Sequence, residues 1–363
     1  MSKLFDKTVI NGMELTNRFV RSATHEGMAT SDGEATPKLI KNVTNLAKGG
    51  VGMIITGQAY VRPEGQAAPW QLGIYKDELI ARLREMTDAV HENGSKILIQ
   101  LNHAGKSVFG HTPLVVSKSA VPDLPTAKEI GPDDISDLVL AFADAAQRAK
   151  YAGFDGIQVH CAHGYLLSQF LTPALNQRQD QYGGNIENRT RIQVEIIQAI
   201  RKAVGKDYPV LIKLNNQDYI ENGLSLEDSL KAAQILTAAG IDAIEFSGGV
   251  PGGTTTPSRT KIKKEEDEAY FKNEARKLKA LTDIPIILVG GIRSFHIAGS
   301  LVEDGTTDYI SLCRPLIREP GLINRWKSGD LRQSLCLSDN LCYKTSVSGN
   351  GVSCDIISNE DMA

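Results

Sequence analysis

The chain has 363 residues, 41% of them hydrophobic and 23% charged, with a formal net charge of −3; this length suits two average domains or one large α/β barrel. With no basic surplus, and no apolar run of the roughly 18–20 residues a membrane span needs, neither nucleic acid nor membrane is an expected partner. Five cysteines, an odd and scattered set, and an N-terminus without signal-peptide order exclude a secreted disulfide scaffold and point to a cytoplasmic protein, a homo-oligomer being compatible with all of this.

The first element expected is a β-hairpin around Asn11-Gly12, a dipeptide suited to a tight two-residue turn. Eight short, β-branched runs follow, at about 18–23, 51–56, 95–101, 154–160, 209–215, 241–247, 285–291 and 308–313. Their near-continuous apolar character fits strands buried on both faces, as in parallel sheets. Amphipathic stretches separate them, at about 36–48, 77–93, 132–149, 187–204, 225–238, 267–281, 294–302 and 320–327. The third opens on Pro132-Asp133-Asp134, residues suited to a first helical turn. Eight strand–helix pairs in strict alternation predict a (β/α)8 TIM barrel over residues 1–330, the hairpin capping its bottom. The longest insertion, about 102–130, follows the third strand and belongs to the C-terminal face, as a loop. No G-x-G-x-x-G follows the first strand, so a doubly wound dinucleotide fold is not indicated.

In such a barrel the strand ends converge on one face, and here they are polar: Ser22, Ala23, Thr24, His25 and Glu26; Thr56, Gly57 and Gln58; Gln100, Asn102 and His103; His160, His163 and Tyr165; Lys213 and Asn215. Gly290-Gly291 after the seventh strand and Cys313-Arg314 after the eighth occupy the usual phosphate position of these barrels, where backbone N–H groups and a bidentate arginine can close on an anion. The bland alternative is a tight turn, with Arg314 paired to a surface carboxylate. Lys213 lies inside the apolar run "VLIKLN" and needs a counter-charge or an acceptor. It could be a Schiff-base nucleophile, one half of a structural ion pair, or a cation facing an electron-rich ring. Gln100 can donate and accept at once, which suits an imide-like edge. The spacing His160-x-x-His163 can also ligate zinc, but a third ligand would be needed, and no metal is expected there.

The segments "NRFVRSAT", "QLNHAG", "HCAHGYLLSQFLTPALNQRQDQYGGNIENRTR", "VGGI" and "SLCRPLIREP" resemble, in order from about residue 5 to 328, the signature segments of the old yellow enzyme family of FMN-dependent ene reductases. The resemblance implies a (β/α)8 barrel with noncovalent FMN at its C-terminal face. It also implies NADH or NADPH as hydride donor and an activated alkene, such as an enone, as acceptor. Position by position, it makes Tyr165 the general acid that protonates the α-carbon, and His160 and His163 the pair that binds the substrate carbonyl oxygen. Gln100 would lie on the flavin pyrimidine edge and Lys213 at its N1/O2 edge. Ser22, Ala23, Thr24, Gly57 and Gln58 would contact the ring, and Gly290, Gly291, Cys313 and Arg314 the phosphate.

Two features depart from the pattern. His25 stands where relatives often carry Thr, Cys or Trp, at the substrate side of the flavin, as either a tuning group or a packed neutral imidazole. The tail 331–363 is similar to the iron–sulfur segment of a longer branch of the family, with Cys336, Cys342 and Cys354 kept and Asp339 where the second cysteine would stand. It is read as a degenerate relic. Rival functions are a flavin-free phosphate-binding lyase or aldolase using Lys213, and a flavin electron-transfer subunit.

Overall fold

The computed structural model describes residues 2–354. Strands β1 (Thr8–Ile10) and β2 (Met13–Leu15) form the expected hairpin, with positive φ at both Asn11 (42°) and Gly12 (76°), as a type I′ turn requires. Eight strands then close into an all-parallel barrel: β3 (Phe19–Arg21), β4 (Met53–Tyr60), β5 (Lys96–Asn102), β8 (Gly156–Cys161), β9 (Val210–Asn215), β10 (Ala243–Ser247), β11 (Ile286–Val289) and β12 (Tyr309–Leu312). The two missing numbers belong to the insertion. There β6 (Leu114–Val115) and β7 (Lys128–Glu129) pair with each other, a small sheet where a plain loop was expected.

Helices Pro37–Lys48, Ile80–His91, Pro132–Tyr151, Arg191–Val204, Leu226–Ala238, Lys272–Lys279 and Phe295–Glu303 alternate with the strands. The helix expected over 267–281 begins five residues late. Glu268 is fully buried instead, its carboxylate accepting from the Arg293 and Ser294 N–H groups and the Ser294 hydroxyl. Ala269 beside it takes a left-handed φ of 50°, which no helix accommodates.

The side-chain alternation of each strand separates two cores. Outward residues such as Phe19, Ile97, Ile157, Ile212, Ile244, Leu288 and Ile310 pack on the helices. Inward residues Val20, Met53, Ile55, Leu98, Leu211, Ala243, Ile287 and Tyr309 fill the barrel bottom, stoppered by Ile10, Met13 and Leu15 of the hairpin. One layer higher the interior turns polar, with Ser22, Gln100, Gln158, Lys213, Glu245 and Ser311 all buried. The tail returns over the mouth rather than leaving it. Ser334 N–H donates to Arg293 O (2.9 Å), Lys261 N–H to Ser338 O (3.2 Å) and Val352 N–H to Glu26 O (2.7 Å). Gly27 permits this docking: a Cβ there would stand 1.8 Å from Ser346 O.

Candidate active site

The polar layer underlies a cavity of about 220 Å3, open at its mouth. Ser22, Ala23, Thr24, His25, Gln58, Gln100, His160, His163, Tyr165, Lys213, Gly290, Gly291, Cys313 and Arg314 all line it, brought together from seven strands and the turns that follow them.

At one end stand three rings. His160 lies 5.1 Å from Tyr165 and 5.3 Å from His163, centroid to centroid. Burial, reinforced by the neighbouring imidazole and by Lys213, holds His160 well below the usual histidine range; burial and Lys213 do the same to His163. Both are therefore neutral near pH 7. His160 Nδ1 is buried without a hydrogen-bond partner, whereas His163 Nε2 lies 2.8 Å from Ser247 Oγ. His163 reaches this place through a left-handed backbone (φ 62°), its N–H donating to Asn215 Oδ1 at 3.2 Å.

Tyr165 is oriented by a chain of amides. Asn102 Nδ2 donates to Gln58 Oε1 (2.6 Å), so Gln58 must present its Nε2, which donates to the Tyr165 hydroxyl oxygen at 2.8 Å. The phenol thus accepts from behind, and its own proton is free to point elsewhere. Burial raises its pKa against the opposing pull of Gln58, so it remains a proton source.

Gln58 faces inward because β4 bulges between Ile55 and Gln58, where three steps on β4 match two on β5. The Gly57 N–H released by the bulge is taken by both oxygens of Glu26, at 3.1 Å each. Gly57 itself is not among the residues lining the cavity. A Cβ there would stand 2.1 Å from Glu26 Oε2 and 2.4 Å from Thr24 O, so glycine serves the bulge. Gln58, expected on the ring, lines the cavity with its side-chain amide bonded to Tyr165 and Asn102.

The floor answers the question that Lys213 raised. Its ammonium donates to Ser22 Oγ (2.8 Å) and lies 3.3 Å from Glu245 Oε2. Glu245 accepts from Ser22 Oγ, Ser311 Oγ (2.7 Å each) and Gln158 Nε2 (2.9 Å). Burial alone would raise the Glu245 carboxyl, but Lys213 and these three donors outweigh it and hold it below its ordinary value. Glu245 and Gln158 were not anticipated. The signal was the one that exposed Lys213, a single polar residue between apolar neighbours in "GIQV" and in "AIEF".

At the other end, Gly290 and Gly291 both take positive φ, 142° and 70°. Arg314 is not paired with a surface carboxylate: its Nη1 donates to Arg259 O (2.9 Å) and Asn340 Oδ1 (2.8 Å). Arg293 lines the same end, its Nη1 donating to Ile262 O at 2.5 Å. Two arginines held by neutral acceptors keep their charge available to an anion. Cys313 joins them, its thiol 3.1 Å from Thr24 Oγ1. The tail adds Ser338 and Tyr343 to this wall, residues no spacing rule had indicated. His25 lies in the cavity wall, its Nε2 buried without a partner; burial lowers its pKa, as for a packed neutral imidazole.

Cys336, Cys342 and Cys354 border a small separate hollow with Asp339, but among the described residues no group of three or more His, Cys, Asp or Glu is placed to hold a metal. The Asp339 carboxylate is turned back on its own chain, accepting from Leu341 N–H at 3.1 Å. Burial pushes the Cys342 thiol up to about 12 and raises Cys336.

The chain belongs to the NADH:flavin oxidoreductase / NADH oxidase family, whose sequence model matches residues 3–333. Membership in a family of FMN oxidoreductases counts against the flavin-free lyase or aldolase reading. The chain is 34% identical over 351 residues to NADH oxidase of Thermoanaerobacter brockii, covering 93% of this chain and 53% of that protein. It thus spans about half the length of that relative. It is 33% identical over 338 residues to NADPH dehydrogenase of Bacillus subtilis strain 168, covering 88% of this chain and 92% of the relative. Among solved structures, an old yellow enzyme homologue from Zymomonas mobilis superposes with a TM-score of 0.78 at 26% identity, covering 93% of this chain and 96% of the other. No helix among the described residues is long and apolar enough to cross a membrane.

The cavity's residues fit the cofactor. Unpartnered buried nitrogens, an amide pair and a cation on the floor, and two arginines at one end are the donor set that a ring with an imide edge and a phosphate tail requires.

Proposed function

We propose that this protein is a cytoplasmic FMN-dependent NAD(P)H oxidoreductase that reduces an activated C=C bond, the substrate being an enone or related α,β-unsaturated compound. Bound FMN supplies the hydride chemistry between the nicotinamide and the alkene. The chain's own residues do the rest. Arg314 and Arg293 hold the phosphate, while Gln100 and Lys213 meet the pyrimidine edge. His160 and His163 donate to the substrate carbonyl oxygen as charge develops on it. Tyr165 gives its proton to the α-carbon.

The observation that carries this reading is the Gln58–Tyr165 hydrogen bond. A phenol that accepts from Gln58, is raised in pKa and stands beside two neutral imidazoles supports a proton-donor role over a structural one. The cofactor and reaction type are tested by anaerobic titration of the purified protein. NADH or NADPH should bleach the flavin band, and cyclohexenone should restore it. The role of Tyr165 is tested by Tyr165→Phe, which should slow flavin reoxidation by the enone about 100-fold or more while reduction by NAD(P)H keeps its rate. Equal slowing of both half-reactions removes the proton-donor role.

A further inference from the structure

The Lys213 ammonium does not stand alone on the cavity floor, and its partner does not line the cavity. Glu245 is fully buried one layer beneath the mouth, and its four oxygen contacts all come from interior residues: Lys213, Ser22, Ser311 and Gln158. An ionised carboxylate in the interior of a parallel barrel is costly unless it is paired with a cation and fully hydrogen-bonded, as Glu245 is. The pairing is built into the sheet: Lys213 and Glu245 are register partners on neighbouring strands β9 and β10. They are held there whether or not a ligand is bound.

A second thread leaves the same carboxylate. As an acceptor only, Glu245 compels Gln158 to turn its NH2 group inward, which leaves the Gln158 carbonyl to accept from Gln100 Nε2 at 2.7 Å. The Gln100 amide is thereby fixed in one of its two orientations. One of its N–H groups is spent below, and its carbonyl is available to an imide N–H above. Two features of the floor, its net charge and its donor–acceptor polarity, trace to one residue that touches neither cofactor nor substrate.

We propose that Glu245 is a positioning residue that sets the reduction potential of the bound flavin by neutralising Lys213 and fixing the Gln158–Gln100 relay. A lysine without a counter-ion at this edge would favour the extra negative charge of the reduced flavin. With Glu245 beside it, the floor is a neutral pair, and the flavin stays a stronger reductant towards the alkene. The inference rests on Lys213 facing the pyrimidine edge, as in the function proposed above.

The test is a double-mutant cycle read as the equilibrium ratio of reduced to oxidised flavin against a reference dye, in the flavin-loaded protein. Lys213→Met should lower that ratio and Glu245→Gln should raise it, each by tenfold or more, which is about 30 mV for a two-electron couple. The double variant E245Q/K213M, again neutral, should return close to the wild-type value. Cancellation of this kind does not follow from a packing defect, which would move stability and leave the potential where it was. If K213M lowers the ratio while E245Q leaves it unchanged, Glu245 merely packs against Lys213 and the proposal falls. If neither moves it, Lys213 does not face the flavin, and the placement of the ring fails with it. Should E245Q alone lose its flavin, the comparison of E245Q/K213M with K213M decides: a tenfold rise on removing Glu245 supports the proposal, and no change overturns it.

Discussion

The two ends of the mouth cavity are built on opposite electrostatic plans. At the ring end, His160, His163 and Tyr165 are desolvated, neutral at pH 7 and aligned through amide and hydroxyl partners. At the glycine end, Arg293 and Arg314 keep full charge and are held by carbonyl and amide oxygens rather than carboxylates. The difference teaches how one barrel mouth can both grip and react. Charge for gripping is left unneutralised where an anion will sit, and is excluded where a substrate oxygen must acquire charge only as it reacts. Neutral donors stabilise that developing charge without binding a ground-state anion in its place.

The largest expected effect breaks the ring end. His160→Ala should slow flavin reoxidation by an enone about 100- to 1,000-fold, some 3–4 kcal/mol of lost oxyanion stabilisation, while flavin content stays full. Because both imidazoles are held neutral, the wild-type rate constant for that step should carry no histidine titration between pH 6 and 8. A stopped-flow pH series checks this.

Next comes the residue tying the ends together. Glu26 holds the Gly57 bulge that turns Gln58 towards Tyr165, and its own carbonyl receives the Val352 N–H of the tail. Burial pushes its carboxyl up from 4.5 to about 7, outweighing the opposing pull of Arg21 and of the Gly57 N–H. A carboxyl raised on folding favours the folded state while protonated. Its stabilisation is complete below pH 4.5 and is lost as pH rises through 7, a change on the order of 3 kcal/mol. Glu26→Gln keeps an acceptor for Gly57 and removes the titration. Thermal midpoints of the two proteins should therefore diverge in favour of the variant as pH climbs from 4.5 to 8.

A smaller loss is expected at the cationic end. Arg314→Ala should weaken FMN by about 10- to 100-fold, the worth of a charge-assisted hydrogen bond, and leave riboflavin affinity unchanged. Fluorescence titration of the apoprotein with each flavin separates the two. Smallest is Gln58→Leu, which removes one donor to the phenol, worth about 1 kcal/mol. It should slow reoxidation several-fold while leaving FMN affinity and reduction by NAD(P)H unaltered.

The architecture was legible because its signals are local. The β-branched runs at 51–56 and 154–160 are strands at 53–60 and 156–161, and the hairpin stands where Asn11-Gly12 placed it. Lys213 was visible as a misfit in an apolar run, and Gln158 and Glu245 carried the same mark. Other features rest on contacts between residues far apart in the chain. No periodicity tells that Gly57 answers to Glu26, 31 positions earlier, or that Gln58 reaches Tyr165, 107 positions later. The tail is a further case: read from its cysteine spacing as a degenerate relic, it brings Ser338 and Tyr343 to the cavity, which no spacing told.

The closure of the barrel has a consequence for how the protein is made. Strand β3 completes the ring by pairing Phe19 with Ile310 and Arg21 with Leu312, partners about 290 positions apart. During synthesis the N-terminal strand has only β4 on one side until nearly the whole chain has emerged, and the growing sheet carries two unpaired edges all that while. Stalled or truncated chains ending before residue 312 are thus exposed templates for association, and the last strand acts as the latch that ends the hazard.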